Sequence, residues 1–246
     1  MTQALLRGIA RGFLELVLPP SDRCPLCGGP LRRAHETGVL LTPAPATSIC
    51  RSCLASNPPI IKHIAHPLQL PRACHRDYST VMAAGPYEGR LKEAIWRLKY
   101  GGRQDLCEPL GSLMAEAGLA AVRGGAVAFD VLVPVPLHPA REVTRGFNQS
   151  LLLSKVAGGR LGVPVEAGEL RRTRETLPQS TLDQHERRRN ISGAFTVLKR
   201  GWFGGKRVLI VDDVFTTGAT VFECCAVLLC DGAASVDVLV CAITGG

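Results

Sequence analysis

Val208-Leu209-Ile210-Val211 sets four apolar side chains in a row, and Asp212-Asp213 follows without a break. So short a run, apolar at every position and rich in β-branched residues, reads as a strand buried on both faces. Val214-Phe215-Thr216-Thr217-Gly218-Ala219-Thr220 comes next, and a helical pattern runs from Gly218 to Cys230. A buried strand, an acidic pair, a hydroxyl-rich turn and a helix thus stand in that order.

The rest of the chain repeats the alternation. A strand is expected from about Ser79 to Tyr87. Leu91, Ile95 and Leu98 recur at helical spacing within Glu88–Tyr100, and Gly101-Gly102 stops that helix. A second helix carries Leu106, Leu110, Leu113, Met114 and Ala117 on one side. Val131 to Pro136 reads as a buried strand, Leu151 to Leu161 as a helix, Ala194 to Val197 as a short strand and Val236 to Ala242 as the last strand. Strands alternating with helices predict an α/β fold with a mainly parallel sheet covered on both faces. Ligands of such sheets bind beyond the carboxyl ends of the strands, which places Pro134–Gln149 and Asp212–Thr220 at the site.

The chemistry of the second segment is specific. Backbone N–H groups of Thr216, Thr217, Gly218, Ala219 and Thr220 lie where a loop meets a helix N-terminus, and they favour a phosphate monoester. Gly218 permits close approach, and the threonine hydroxyls add donors. Asp212 and Asp213 can accept hydrogen bonds from the hydroxyls of a ribose. There is no Gly-Lys-[Ser/Thr] phosphate loop and no dinucleotide fingerprint.

Cysteine usage points to a second feature. Cys24-Pro25-Leu26-Cys27 and Cys50-Arg51-Ser52-Cys53 are two pairs, each with two residues between the thiols. That spacing lets both members of a pair reach one tetrahedral ion, and Gly28-Gly29 allows the chain to reverse after the first pair. The two pairs predict a structural four-cysteine Zn2+ site with no open position for water. Cys107, Cys224, Cys225, Cys230 and Cys241 lie in apolar patterns and read as small core residues. Cys74 beside His75 is a spare ligand or an incidental pair. His63 and His66, in a proline-rich stretch, are given no ligand role.

The chain has 246 residues, ten cysteines and a formal charge of +8. No apolar run approaches the ~20 residues of a membrane span. Met1–Leu18 is mildly amphipathic and ends at Pro19-Pro20, so it reads as a packing helix and not a signal peptide. Without a secretion signal, this cysteine content suggests a reducing, cytoplasmic setting. The basic balance favours anionic partners, either phosphorylated small molecules or nucleic acid.

The segment Val208–Thr220 resembles the 5-phosphoribosyl-1-pyrophosphate (PRPP) motif of type I phosphoribosyltransferases. Further motifs agree with it: the cysteine module, Leu98-Lys99-Tyr100-Gly101-Gly102, Pro134-Val135-Pro136-Leu137, Arg145-Gly146-Phe147-Asn148-Gln149-Ser150, Arg172-Thr173-Arg174-Glu175-Thr176 before Gln179, and Arg187–Asn190 leading to Gly193-Ala194-Phe195. Together they are similar to the ComF family, phosphoribosyltransferase-like proteins linked to DNA uptake in competent bacteria. The resemblance implies the type I phosphoribosyltransferase fold over residues 58–246 and an N-terminal helix and zinc module over residues 1–57. It implies PRPP or a related phosphorylated ribose as ligand, Mg2+ accompanying it, and pyrophosphate as leaving group. Asp212 and Asp213 match the acidic pair, and Thr216–Thr220 match the 5′-phosphate loop. Arg145 becomes the anion ligand for the departing pyrophosphate, its other reading being a salt bridge to Glu142 or a nearby carboxylate. Arg172 and Arg174 fall in a segment that closes over the site in such enzymes.

Two functions stay open on these grounds. One is transfer of a phosphoribosyl group to an unidentified nucleophile, in nucleoside metabolism. The other is a non-catalytic module for DNA uptake that uses the sugar-phosphate pocket for a ligand or a DNA end. Arg171, Arg172, Arg174, Arg187, Arg188 and Arg189 supply cations for single-stranded DNA or an active-site loop. No aromatic residues interleave with them to stack bases.

Overall fold

The structure is a computed structural model describing residues 23–31, 49–65, 78–125, 127–176 and 184–245. The expected N-terminal helix, His66, Cys74, His75 and Gln179 lie outside the described residues, as do the side chains of Arg187 and Arg188.

The described chain runs α1 (Arg51–Ala55), β1 (Ile60–Ala65), β2 (Tyr78–Ala83), α2 (Gly89–Tyr100), α3 (Cys107–Arg123), β3 (Val131–Pro134), α4 (Pro139–Arg145) and α5 (Gln149–Leu161). It continues through β4 (Leu170–Arg172), α6 (Gln184–Ile191), β5 (Phe195–Val197), β6 (Arg207–Phe215), α7 (Ala219–Cys230) and β7 (Ser235–Ile243). Five strands form one sheet in the order β1-β2-β7-β6-β3. β2, β7, β6 and β3 are parallel, and β1 is antiparallel at the edge. The expected α/β class and mainly parallel sheet are present.

Alternation along β6 divides the core. Leu209 and Val211 point to one side, packing with Leu132 and Leu239 under Leu91 and Ile95 of α2, Leu110, Leu113 and Met114 of α3 and Leu153 of α5. Val208 and Ile210 point to the other, packing with Val133 and Val238 under Val221, Phe222, Cys225 and Leu228 of α7. All eight β6 and β7 residues at Val208–Val211 and Val236, Val238, Leu239 and Val240 are buried. Two-sided cover explains why these strands are continuous apolar runs. Close helix packing supports the first layer: a Cβ on Gly111 of α3 would lie 2.6 Å from Cβ of Val156 on α5.

Several elements differ from the sequence expectation. Ile60–Ala65, ahead of the first strand expected from the sequence, is itself a strand, paired in register with Tyr78–Ala83. The strand expected from Ser79 to Tyr87 ends at Ala83, with only an isolated bridge from Pro86 to Ile243. β5 does not join the main sheet. It pairs antiparallel with β4, as a small separate ladder. Cys230, expected in the core, is exposed at the end of α7, whereas Cys107, Cys224, Cys225 and Cys241 are buried as expected.

The cysteine module is part of the main core. Cys24, Leu26, Ile49 and Cys53 are buried in the same apolar cluster as α2 and α3.

Candidate functional site

A cleft of about 450 Å3 opens at the carboxyl ends of β3 and β6. Its wall includes Asp212, Asp213, Thr216, Gly218, Ala219, Thr220, Arg145 and Arg172. Eight residues singled out from the sequence therefore meet in one place. Thr217 and Arg174 are not part of that wall.

The turn before α7 is shaped by its glycine. Gly218 is the N-cap of α7 at φ +73°, a left-handed conformation that costs a side-chain-bearing residue strain. A Cβ there would also lie 2.5 Å from Phe222 and 2.6 Å from Phe215. The Thr217 hydroxyl accepts from Ala219 N–H at 3.4 Å. The first turn of α7 faces the cleft with its N–H groups and positive dipole end.

The acidic pair stands at the end of β6 beside α5. Asp212 Oδ1 accepts from the Ser150 hydroxyl at 2.9 Å and from Asp213 N–H at 2.9 Å. Burial, then repulsion from Asp213, pushes Asp212 up to about 7, outweighing Lys99, the Asp213 N–H and Ser150. Asp213 is buried and forms an ion pair with Lys99, Nζ to Oδ1 at 2.8 Å. Its Oδ2 has no hydrogen-bond partner among the described residues. Burial pulls Lys99 down, but the attraction of Asp213 and its hydrogen bond leave it above the usual lysine value.

The Arg145–Ser150 run builds the opposite wall. Gly146, at φ +80°, ends α4. Asn148 caps α5: its Oδ1 accepts from Ser150 and Leu151 N–H, and its Nδ2 donates to Val135 O at 3.1 Å. That double use ties the start of α5 to the end of β3 and aims Ser150 at Asp212. Arg145 donates to Gln149 Oε1 at 2.8 Å and lies 5.8 Å from the centre of the Tyr100 ring. Gln149, and not Glu142, is its partner.

Sequence reasoning assigned no role to Lys99, Tyr87, Tyr100 or Arg141, all of which line the cleft. Arg141 donates to Thr176 O at 2.8 Å, and buried Arg172 donates to the Thr176 hydroxyl. Arg172 Nε has no partner among the described residues. Burial, then the nearby Arg141 charge, lowers the Arg172 pKa from the usual arginine value. Two guanidinium groups braced on one threonine and, among the described residues, not on a carboxylate are suited to a ligand anion. Arg174 turns away, donating to Asn190 O at 2.9 Å and Ser192 O at 2.6 Å at the end of α6.

The cysteine cluster is distant in chemistry from this cleft. The Sγ atoms of Cys24, Cys27, Cys50 and Cys53 all lie within 4.8 Å of one another. Thiolates around a tetrahedral zinc stand about 3.8 Å apart. Cys27 Sγ and Cys50 Sγ are 3.5 Å apart. Gly29 N–H and Cys53 N–H donate to Cys27 Sγ at 3.3 Å and Cys50 Sγ at 3.4 Å. Convergent sulfurs with N–H donors on two of them fit a bound metal ion.

A mainly parallel sheet covered on both faces, with a helix N-terminal turn, a carboxylate pair and arginines around a cleft at its carboxyl edge, defines an α/β protein with its candidate site where such sheets hold ligands. The chain is 33% identical over 221 residues to DNA utilization protein YhgH of Salmonella typhi, covering 87% of this chain and 94% of that one. It is 31% identical over 148 residues to Competence protein F of Haemophilus influenzae, covering 59% of this chain and 65% of that one. The chain belongs, with these relatives, to the ComF family. Among solved structures, a Bacillus subtilis glutamine PRPP amidotransferase complex is similar at TM-score 0.38 and 23% identity, over 58% of this chain and 30% of that one. No family model matches the chain. Among the described residues, no helix is long and apolar enough to cross a membrane.

Proposed function

We propose that this protein binds PRPP in the cleft and transfers its phosphoribosyl group, with release of pyrophosphate, in the service of DNA uptake. The observation that carries the reading is the convergence of the Asp212–Asp213 pair, the α7 N-terminal turn and Arg141, Arg145 and Arg172 around one cleft. The Thr216–Thr220 turn takes the 5′-phosphate, and the carboxylates take the ribose hydroxyls. A nucleophile attacks C1 while the C1–O bond to pyrophosphate breaks and its electron pair leaves with pyrophosphate. The arginines stabilise that departing charge. Mg2+ bound to the diphosphate of PRPP would supply charge neutralisation there, while Arg141, Arg145 and Arg172 are the chain's own cations at the cleft. Arg174, turned to α6, takes no part in this arrangement.

Calorimetry with PRPP and Mg2+ tests the donor half. Binding is expected, with loss in the Asp212→Asn/Asp213→Asn double variant, and absence of binding to the unaltered protein sinks the reading. Pyrophosphate release with nucleobases, ammonia donors and DNA as acceptors tests turnover.

The names of the relatives support a place in DNA utilisation and competence, and the cysteine usage favours the cytoplasm as its setting. A module that binds single-stranded DNA without turnover is the second reading. Its affinity falls steeply with salt, and it is abandoned if DNA binding by the full chain survives neutralisation of Arg187, Arg188 and Arg189. In both readings the metal on Cys24, Cys27, Cys50 and Cys53 is zinc, closed to chemistry and structural.

A further inference from the structure

Lys99 belongs to none of the ligand-binding roles above, yet it reaches the centre of the cleft. It sits in the last turn of α2, and its Nζ is 2.8 Å from Asp213 Oδ1, with the two side chains only 20% and 5% exposed. Asp213 Oδ2 is buried without a partner among the described residues. Asp212, one residue earlier, engages Ser150 and the Asp213 N–H through Oδ1. One ammonium thus pairs directly with Asp213, and its charge also acts on the neighbouring Asp212.

Adjacent carboxylates at the edge of an open cleft are hard-oxygen donors of the kind that divalent cations take. Here a cation is already supplied by the chain. An ammonium is a compact point charge, and its tether to α2 keeps it at the carboxylate without any dissociation into solvent. A metal ion would have to displace it. We propose that Lys99 is the acidic pair's built-in counter-ion, standing where a divalent cation would sit, so that Asp212 and Asp213 meet a sugar's hydroxyls without a metal of their own. Any metal in the cleft then arrives on the ligand's phosphates. The sugar as ligand rests on the function proposed above; the exclusion of a metal from the pair does not.

The test uses the full chain with its cysteine-bound metal retained, and Mn2+ as probe, followed by electron paramagnetic resonance. The unaltered protein is expected to hold no Mn2+ at the pair. Lys99→Met should gain a Mn2+ site at least about tenfold tighter than any in the parent, lost again in Lys99→Met/Asp213→Asn. Equal Mn2+ affinity in the parent and Lys99→Met overturns the proposal. Calorimetry with ribose 5-phosphate, which carries no diphosphate, is the second arm. The parent should bind it equally with and without Mn2+, whereas Lys99→Met should bind about tenfold more weakly until Mn2+ is added. Mn2+-dependent binding by the parent counts against the counter-ion role. Binding by neither protein removes the sugar reading and leaves the Mn2+ arm to decide for Lys99. If Lys99→Met does not fold, recovery of folding in the double variant supports the charge pairing, and failure of both overturns it.

Discussion

Phe215 and Phe222 meet edge to face, with ring centroids 5.7 Å apart and planes at 89°, directly behind Gly218. The turn facing the cleft is therefore backed by two aromatic rings, one from the end of β6 and one from the first turns of α7. The rings fill the space where a Cβ at residue 218 would go.

Gly218→Ala should accordingly cost stability twice, through the left-handed φ and through overpacking. Together these come to roughly 2–4 kcal/mol, read as a lower urea midpoint with an unchanged slope. Phosphate or PRPP affinity should fall with it. A variant as stable as the parent would show that the turn relaxes freely.

Asp212 makes the fold sensitive to pH in a defined direction. The folded side chain holds its proton up to about pH 7, whereas an unfolded aspartate releases it near 4. A raised acid favours the fold in its protonated form. That contribution is complete below about pH 4 and is lost as the pH rises through about 7. Asp212→Asn stays neutral throughout. It should be more stable than the parent by roughly 1–3 kcal/mol at pH 8, with the gain shrinking toward pH 4. Paired melting curves at the two pH values check the sign.

Arg172 should separate stability from binding. Its buried guanidinium has an unpartnered Nε among the described residues and contacts the Phe195 ring at 5.6 Å. Methionine keeps most of the volume and removes the charge. Arg172→Met should leave stability unchanged or raise it by up to about 1 kcal/mol, while weakening diphosphate affinity about tenfold or more. Denaturant unfolding and calorimetry on the same variant test both halves.

The cysteine cluster and the sheet should melt together, because Cys24, Leu26, Ile49 and Cys53 share the core of α2 and α3. Cys53→Ser or a strong zinc chelator should lower the thermal midpoint and remove the bound metal. Cys107→Ser is the control: it alters a buried thiol beside the same helices and leaves metal content intact. Elemental analysis with calorimetric scans distinguishes the two.

Much of this molecule was legible in the sequence where the local pattern and the tertiary role coincide. β6 is apolar from Val208 to Val211 because both its faces are covered there, and Gly218 marks the helix start because the backbone there turns left-handed. The four cysteines carry their own spacing rule. β1 was not legible. Its exposure pattern is that of an edge strand, mostly open to solvent, and its identity comes from pairing with β2 across intervening residues. The β4–β5 ladder is three residues long, too short for any period to register. Lys99 reads as an ordinary charge at a helix end, since its partner comes from β6, far along the chain. Arg145 is legible as a site residue, but its partner Gln149 lies across the Gly146 turn at the start of α5, two residues before the expected helix start at Leu151.

The last turn of α2 has a spectroscopic consequence. Trp96 lies 5.8 Å from Tyr100, and the two rings are 56% and 63% exposed. Tyr100 lines the cleft and Lys99 enters it. The chain's other tryptophan, Trp202, is flanked by Lys199 and Lys206. Trp96 is thus a native fluorophore at the rim of the cleft, and emission from a Trp202→Phe protein would report occupancy without an attached dye.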